Sequence, residues 1–217
     1  MTARVVADTA AGRATAVDVL RAGGLVALPT DTVYGIAVRL DAAGGVERLF
    51  EAKRRPLDRA IMLLLADPAQ AEVVGLMNPA ARILAAAGWP GGLTLVLRQR
   101  QDSGLPAVLT GGAGTIGVRV PDHPTPRALA GAAGPLPTTS ANLAGAPTAM
   151  TAAEILAGLG NDLDLILDGG PARGALASTV IDCSTELPRL LRAGAIPPAA
   201  LAAVLDEADL PHELSAD

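Results

Sequence analysis

Several residue types that support common protein functions are scarce in this 217-residue chain. Its one cysteine, Cys183, excludes an intrachain disulfide, and its two histidines, His123 and His212, are too far apart in sequence to suggest a structural zinc site. No apolar run approaches the roughly 20 residues of a membrane-spanning helix. The first residues also lack the apolar stretch of a signal peptide. We therefore expect a soluble, cytoplasmic protein without a membrane partner.

Positive charge and aromatic side chains are limited as well. The chain has 17 basic and 22 acidic residues, a formal charge of −5, and one residue each of Trp, Tyr and Phe. A protein whose main role is to bind nucleic acid needs a basic surface and aromatic stacking platforms, so this class is disfavoured. Lys53 is the single lysine, and every other basic residue is arginine. Composition alone marks Lys53 only as unusual; its position beside two arginines, Arg54 and Arg55, is what suggests a requirement for a compact ammonium group.

Alternating helical and extended patterns predict one α/β domain over 1–207 with a flexible tail over 208–217. No repeat, linker or charge run divides the chain. Late strands without helices between them favour a mixed sheet over a strictly parallel one. The periodicities predict strands at 25–28, 61–65, 93–97, 115–120, 136–140, 163–167, 179–181 and 189–191. They predict helices at 13–22, from a cap at Asp41 to Lys53, and at 68–76, 79–87, 125–132, 151–159 and 198–207.

Four polar groups of residues could carry chemistry. Three are the segments 29–35, 51–59 and 137–142. Taken alone, the first can be a capped turn, the second a solvated helix end and the third an ordinary helix N-cap. The chain has no P-loop, no dinucleotide-binding glycine motif and no G-x-S-x-G turn. Hydroxyls, an amide and cations without a central histidine or cysteine suit phosphoryl or nucleotidyl transfer, which needs positioning and charge stabilisation. The fourth group is dispersed over Thr115, Arg119, Ser178, Thr179 and Arg192.

Seven segments resemble, in order, the motifs of the YrdC-like family of threonylcarbamoyl-AMP synthases. They lie within 24–196 and read PTDTVYG, EAKRRPLDR, WPGGLTLVL, VRVPDHP, PTTSANLAG, DGGP with STVID, and LLRAGAI. The resemblance implies the twisted open α/β sheet of the short, single-domain form. It implies condensation of L-threonine, bicarbonate and ATP to threonylcarbamoyl-AMP and pyrophosphate. A downstream tRNA threonylcarbamoyltransferase would use that product to make N6-threonylcarbamoyladenosine in tRNA.

The same resemblance implies a set of site residues. The catalytic residues would be Lys53, Arg55, Ser140 and Asn142. The threonine-binding residues would be Thr32, Arg119, Thr138 and Ser178. The ATP-binding residues would be Arg55, Arg59, Thr115, Ser140, Thr148 and Arg192. Mg²⁺ would arrive with ATP, and no metal site made by the protein itself is implied.

Two other functions stay open at this point. A module that binds double-stranded RNA or tRNA could use the cations between Lys53 and Arg59, although the net charge argues against it; an enzyme could also make a weak tRNA contact. A carbamoyl-adenylate-forming enzyme is the second alternative. The chain lacks the acylphosphatase-like or zinc-finger segment that would support it.

Overall fold

Eleven strands and eight helices make up the part of the chain that the computed structural model describes, residues 2–54, 56, 60–143, 145–172, 174 and 176–214. The strands are β1 Arg4–Ala7, β2 Val26–Leu28, β3 Gly35–Ala37, β4 Met62–Leu64, β5 Gly75–Leu76, β6 Leu93–Gln99, β7 Thr115–Arg119, β8 Leu136–Ser140, β9 Leu165–Asp168, β10 Thr179–Asp182 and β11 Arg189–Arg192. The helices are α1 Ala10–Arg21, α2 Gly45–Lys53, α3 Ala69–Val74, α4 Pro79–Gly88, α5 Ala107–Thr110, α6 Pro124–Ala133, α7 Ala152–Leu159 and α8 Pro198–Asp206.

All of these strands belong to one mixed sheet. Their order is β1-β9-β2-β3-β8-β4-β7-β6-β10-β11, and β5 pairs with β6 outside this path. The sheet contains parallel pairs, such as β4 with β7 and β6 with β10, and antiparallel pairs, such as β3 with β8 and β6 with β7. The predicted single α/β domain with a twisted, open, mixed sheet is confirmed.

Alternate residues of the central strands build two hydrophobic cores, because successive side chains of a strand point to opposite faces. In β2, Ala27 belongs to the larger core, whereas Val26 and Leu28 belong to the smaller one. Helices α1 and α6 cover the smaller core with Leu20 and Leu129. Burial on both faces explains why β2 reads as a continuous apolar run rather than an alternating one.

The same alternation places polar side chains on one face of β6 and β7. Leu95 of β6 and Val118 of β7 lie in the larger core. Thr94, Gly117 and Arg119 lie between such apolar positions, and all three line a cavity on the opposite face. The sequence alternation of these two strands therefore supplies the floor of the candidate site.

The predicted start of α2 is wrong. The helix begins at Gly45 after Gly44, whose φ of 68° places it in the left-handed region, and no side chain caps the helix. Asp41 lies outside the first turn and pairs with Arg39, with 2.6 Å between Nε and Oδ1. The Asp41 carboxylate, which was predicted to cap the helix, thus forms a local ion pair instead.

The helix predicted over 68–76 is wrong at its end, because α3 ends at Val74 and 75–76 form β5, which pairs with β6. The helix predicted from residue 13 begins at Ala10, after the cap Thr9. The other predicted elements are confirmed, and four further elements were missed. The eight predicted strands appear with shifts of at most two residues at their ends. At 151–159 the capping box of Thr151 and Glu154 is present. The missed elements are short pieces that depend on neighbouring chain segments: β1, β3, β5 and α5.

Part of the predicted loose tail is packed, contrary to expectation. Leu190 N–H donates to the carbonyl of Glu213 at 3.0 Å, and Glu213 N–H donates to the carbonyl of Pro188 at 2.7 Å. Leu214 is buried in the larger core. Backbone bonds to β11 and one apolar side chain thus hold 213–214, whereas 215–217 lie outside the described residues. Among the described helices, none has the length and apolarity that crossing a membrane requires.

Candidate active site

A cavity of about 410 Å³, lined by both polar and apolar residues, lies on the sheet face opposite the larger core. Its wall comes from the turn between β2 and β3, from β4, β6, β7, β8, β10 and β11, and from loop residues. Most of the residues that the motifs nominated line it. They are Thr32, Thr115, Arg119, Thr138, Ser140, Thr148, Ser178 and Arg192.

Lys53 joins this set through contact with the end of β8. The side chain is 2% exposed, and Nζ donates to the Ser140 carbonyl at 2.5 Å, to Ser140 Oγ at 3.1 Å and to Asn142 Oδ1 at 3.1 Å. Ser140 Oγ itself donates to Asn142 Oδ1 at 2.6 Å. Helix α2 ends at Lys53 because Arg54 adopts a left-handed conformation with φ 50°. The lysine, serine and asparagine therefore form one hydrogen-bonded cluster at the cavity wall.

The orientation of the Asn142 amide follows from its other contacts. Its Nδ2 donates to the carbonyls of Leu143 at 3.1 Å and Ala146 at 2.6 Å. Oδ1 must then face the lysine and the serine hydroxyl, which are both donors. The loop after β8 thus fixes the acceptor that receives the ammonium of Lys53.

Arg119 is a buried cation at the end of β7. Its side chain is 2% exposed, and its guanidinium donates to Thr32 Oγ1 at 2.8 Å, to Asp31 Oδ1 at 2.6 Å and to the Gly91 carbonyl at 2.9 Å. Burial lowers the pKa of Arg119 and Asp31 opposes that shift, while the nearby positive charge of Arg192 lowers it further. A guanidinium has five N–H donors, so two remain for a ligand beside these three bonds.

Arg192 and Ser178 form a second polar group. The Arg192 guanidinium donates to the Ser178 carbonyl through Nε at 3.1 Å and Nη2 at 2.9 Å, and Nη2 also lies 3.2 Å from Ser178 Oγ. Ser178 is buried, and its hydroxyl lies 2.7 Å from that of Thr94. Partial burial lowers the pKa of Arg192, and the group stays cationic near neutral pH.

The electrostatics of the cavity favour an anionic or zwitterionic ligand. Arg119 and Arg192 line it, and the described lining residues include no aspartate or glutamate. Asp31 contacts Arg119 without lining the cavity. Cations in a partly desolvated pocket interact more strongly with an anion than they would in bulk water.

The hydroxyls that were predicted from sequence are arranged around these cations. Thr115 and Arg119, at the two ends of β7, both line the cavity. Thr138 donates to the Leu136 carbonyl at 2.8 Å, which leaves the lone pairs of its hydroxyl for a ligand. Thr148 lines the cavity from the loop after β8. Arg55 and Arg59, also predicted for this site, lie outside the described residues.

Three of the other polar lining residues are Thr30, Tyr34 and Thr94. The sequence interpretation gave none of them an individual role, although the first two lie in the predicted segment 29–35. Thr30 Oγ1 donates to the Val33 carbonyl at 2.6 Å and accepts from Thr32 N–H at 3.1 Å, so it shapes the turn after β2. Tyr34 donates to the Gly170 carbonyl at 2.6 Å and accepts from Gly169 N–H at 3.1 Å. Thr94 is the third. A hydroxyl on the apolar strand β6 and the only tyrosine in the sequence were the available signals.

The sheet and its cavity define an α/β protein with a cation-lined site for an anionic ligand. The chain belongs to the Sua5/YciO/YrdC family, since the model of that family, described as "Telomere recombination", matches residues 18–194. This match covers most of the sheet and all the lining residues named above.

Relatives and solved structures agree with this membership. Threonylcarbamoyl-AMP synthase from Bacillus subtilis (strain 168) is 38% identical over 194 residues, 88% of this chain and 56% of the relative. The enzyme of the same name from Pyrococcus abyssi (strain GE5 / Orsay) is 39% identical over 180 residues, 82% of this chain and 52% of the relative. The chain thus spans about half the length of these two proteins. A Mycobacterium tuberculosis (strain ATCC 25618 / H37Rv) relative is 36% identical over 195 residues, 89% of each chain.

Two solved structures are similar over most of the chain. P. abyssi Sua5 complexed with L-threonine has a TM-score of 0.85 and 36% identity, over 93% of this chain and 58% of that one. E. coli YciO has a TM-score of 0.77 and 30% identity, over 84% of this chain and 88% of that one. These likenesses agree with the sheet topology described above.

Proposed function

We propose that this chain is a threonylcarbamoyl-AMP synthase, which condenses L-threonine, bicarbonate and ATP to threonylcarbamoyl-AMP and pyrophosphate. The observation that carries the proposal is the convergence of eight nominated side chains on one cation-lined cavity. The names of the B. subtilis and P. abyssi relatives support it. So does the threonine complex of P. abyssi Sua5.

We assign the amino acid to the end of the cavity that contains Arg119. Its two remaining N–H groups suit the threonine carboxylate, because a guanidinium binds a carboxylate through paired donors. Thr32, Thr138 and Ser178 supply hydroxyls beside it for the polar groups of the substrate. Asp31, which does not line the cavity, holds the guanidinium in place through its 2.6 Å bond.

We assign ATP to the cluster of Lys53, Ser140 and Asn142 together with Arg192. A lysine ammonium and an arginine guanidinium neutralise phosphate charge, and hydroxyls can bond phosphate oxygens. The assignment extends to Thr115 and Thr148, which line the cavity, and to Arg55 and Arg59 on the sequence motif alone.

The proposed reaction has two bond-forming steps. The neutral amine of threonine bonds to the carbon of bicarbonate, and loss of water yields a carbamate. A carbamate oxygen then bonds to the α-phosphorus of ATP while the bond from that phosphorus to the pyrophosphate oxygen breaks. Lys53 and the arginines would stabilise the charge that accumulates on the phosphate oxygens and on the leaving group.

Mg²⁺ bound to ATP would neutralise further phosphate charge in this proposal. Within the described residues, no three His, Cys, Asp or Glu side chains are grouped so that they could hold a metal ion.

The test is product formation by the purified chain. With ATP, threonine and bicarbonate we expect threonylcarbamoyl-AMP in the mass spectrum and an equal amount of pyrophosphate. Omission of threonine should abolish both signals. Absence of threonine-dependent product from a folded chain would contradict the proposal.

Two further arms test the alternatives. Turnover with carbamoyl phosphate, but not with threonine and bicarbonate, would identify a carbamoyl-adenylate-forming enzyme. Tight, salt-dependent tRNA binding without any turnover would identify a nucleic-acid-binding module. If the proposal holds, the adenylate is a reactive acyl donor, and a tRNA threonylcarbamoyltransferase is the partner that we expect to consume it.

A further inference from the structure

Thr94 is a buried hydroxyl in the first, apolar part of β6. It lies in β6 between Leu93 and Leu95, which belong to the larger core, and it faces the cavity on the other side of the sheet. Its side chain is 3% exposed. A buried hydroxyl is stable only with a hydrogen-bond partner. For Thr94 that partner is Ser178 Oγ, at 2.7 Å.

The Ser178 hydroxyl has two partners. Arg192 Nη2 lies 3.2 Å from Ser178 Oγ, and since a guanidinium can only donate, Ser178 accepts this bond. The second partner is Thr94 Oγ1, at 2.7 Å, and either hydroxyl can donate in this bond. Thr94 Oγ1 also lies 3.6 Å from Met62 Sδ, a weak acceptor.

These two bonds have a consequence for the cavity that Ser178 lines. A hydroxyl has one hydrogen and two lone pairs, and Arg192 and Thr94 together occupy two of these three positions. One hydrogen-bonding position of Ser178 is left for a ligand, and the two bonds fix its direction.

We propose that Thr94 is a positioning residue for the amino-acid substrate. It holds the Ser178 hydroxyl in one rotamer, so that the remaining hydrogen-bonding position of that hydroxyl meets a polar group of the substrate. The proposal rests on the proposed function, because Ser178 is assigned to threonine there. Without the Thr94 hydroxyl, Ser178 is free to rotate away from the orientation that the substrate requires.

The nucleotide side of the site should be much less sensitive to Thr94. Two of the three Arg192 bonds go to the backbone carbonyl of Ser178, at 2.9 and 3.1 Å, and a change at Thr94 leaves that carbonyl in place. The orientation of Arg192 is therefore largely independent of the serine hydroxyl. This difference separates a positioning role from a general loss of structure.

The experiment compares Thr94→Val with Thr94→Ser. Valine has nearly the same shape but no hydroxyl, and loss of one such bond at this site corresponds to about a tenfold rise in the KM for threonine. The KM for ATP should stay within about twofold of the unsubstituted chain, since the carbonyl bonds of Arg192 are retained. Thr94→Ser keeps the hydroxyl and should restore the KM for threonine. Equal rises in both KM values, or an unchanged KM for threonine in Thr94→Val, would overturn the proposal.

A double-mutant cycle with Ser178→Ala tests the same idea without relying on one variant. If Thr94 acts through Ser178, Thr94→Val should add little to the effect of Ser178→Ala. Additive effects would contradict that route. Calorimetric titration of threonine without ATP gives a readout independent of turnover. Failure of the unsubstituted chain to form product would count against the proposed function, whereas equal threonine affinity of the parent chain and Thr94→Val would count against the role of Thr94.

Discussion

Replacement of Lys53 by methionine should abolish most activity while the fold persists. The substitution removes the ammonium but keeps an unbranched apolar chain in a position that is 2% exposed. Each acceptor that loses the lysine keeps another contact. The Ser140 carbonyl accepts from Asn142 N–H at 3.0 Å, and Asn142 Oδ1 accepts from Ser140 Oγ at 2.6 Å. We therefore expect a loss of about 2 kcal/mol of unfolding free energy, which corresponds to one charged hydrogen bond rather than a collapsed network.

The expected effect on the reaction is larger. Loss of one preorganised donor to developing charge commonly raises a barrier by about 3 kcal/mol, which is a rate decrease of roughly 150-fold. A stability loss of about 2 kcal/mol lowers the melting temperature of a chain of this size by about 4–8 °C. At 25 °C the variant should therefore be folded and slow.

The assay measures threonine-dependent pyrophosphate release beside circular dichroism of the same samples. Lys53→Arg retains the charge, but its planar fork cannot reproduce a compact ammonium among the acceptors, so we expect it to remain impaired. Arg21→Met, on an exposed helix end, is the matched control and should leave the rate unchanged. A folded Lys53→Met chain with a rate within about fivefold of the parent would refute the reasoning, since the expected barrier change is far larger.

Two further predictions concern buried groups. Arg119→Lys should raise the KM for threonine by at least about tenfold and lower the free energy of urea unfolding by about 2 kcal/mol, because an ammonium cannot contact Asp31, Thr32 and the Gly91 carbonyl in the same geometry. The control is Arg98→Lys, at an exposed position. An unchanged KM in Arg119→Lys would contradict the assignment. Burial, and secondarily the charge of Asp182, raises the pKa of the Cys183 thiol from 9.0 to about 12. Iodoacetamide at pH 8 should therefore label Cys183 only after unfolding, and labelling of the native chain at the unfolded rate would contradict its burial. Since the unfolded thiol ionises first, the contribution of this group to stability should fall as the pH rises from 9 towards 12.

Local patterns were sufficient for most elements of secondary structure. The strand 136–140 and the capping box of Thr151 and Glu154 follow from residues that are adjacent in sequence. The short strand β3 was missed because it directly follows a turn segment and has only three residues. It is a strand because its backbone pairs with β2 on one side and β8 on the other. The packing of 213–214 beside β11 has the same origin.

The candidate site was likewise only partly predictable from the sequence. The sequence showed the polar segments that contain the site residues, and the resemblance to one family indicated which of these residues form one site. The role of Thr94 was not visible, because a threonine in an apolar strand has no local partner. It emerges from Ser178, a residue 84 positions away that β10 brings beside β6.

The sequence by itself determined the periodicity of the strands and helices, the order of the polar segments and the scarcity of lysine that singled out Lys53. Tertiary structure alone decided which of these residues meet. Lys53 contacts Ser140 across 87 residues, and Arg119 contacts Thr32 across the same separation. The physical reason is that propensity and capping act over a few residues, whereas strand order is set by burying apolar faces on both sides of one sheet. That order brings distant strand ends and turns together at a single cavity.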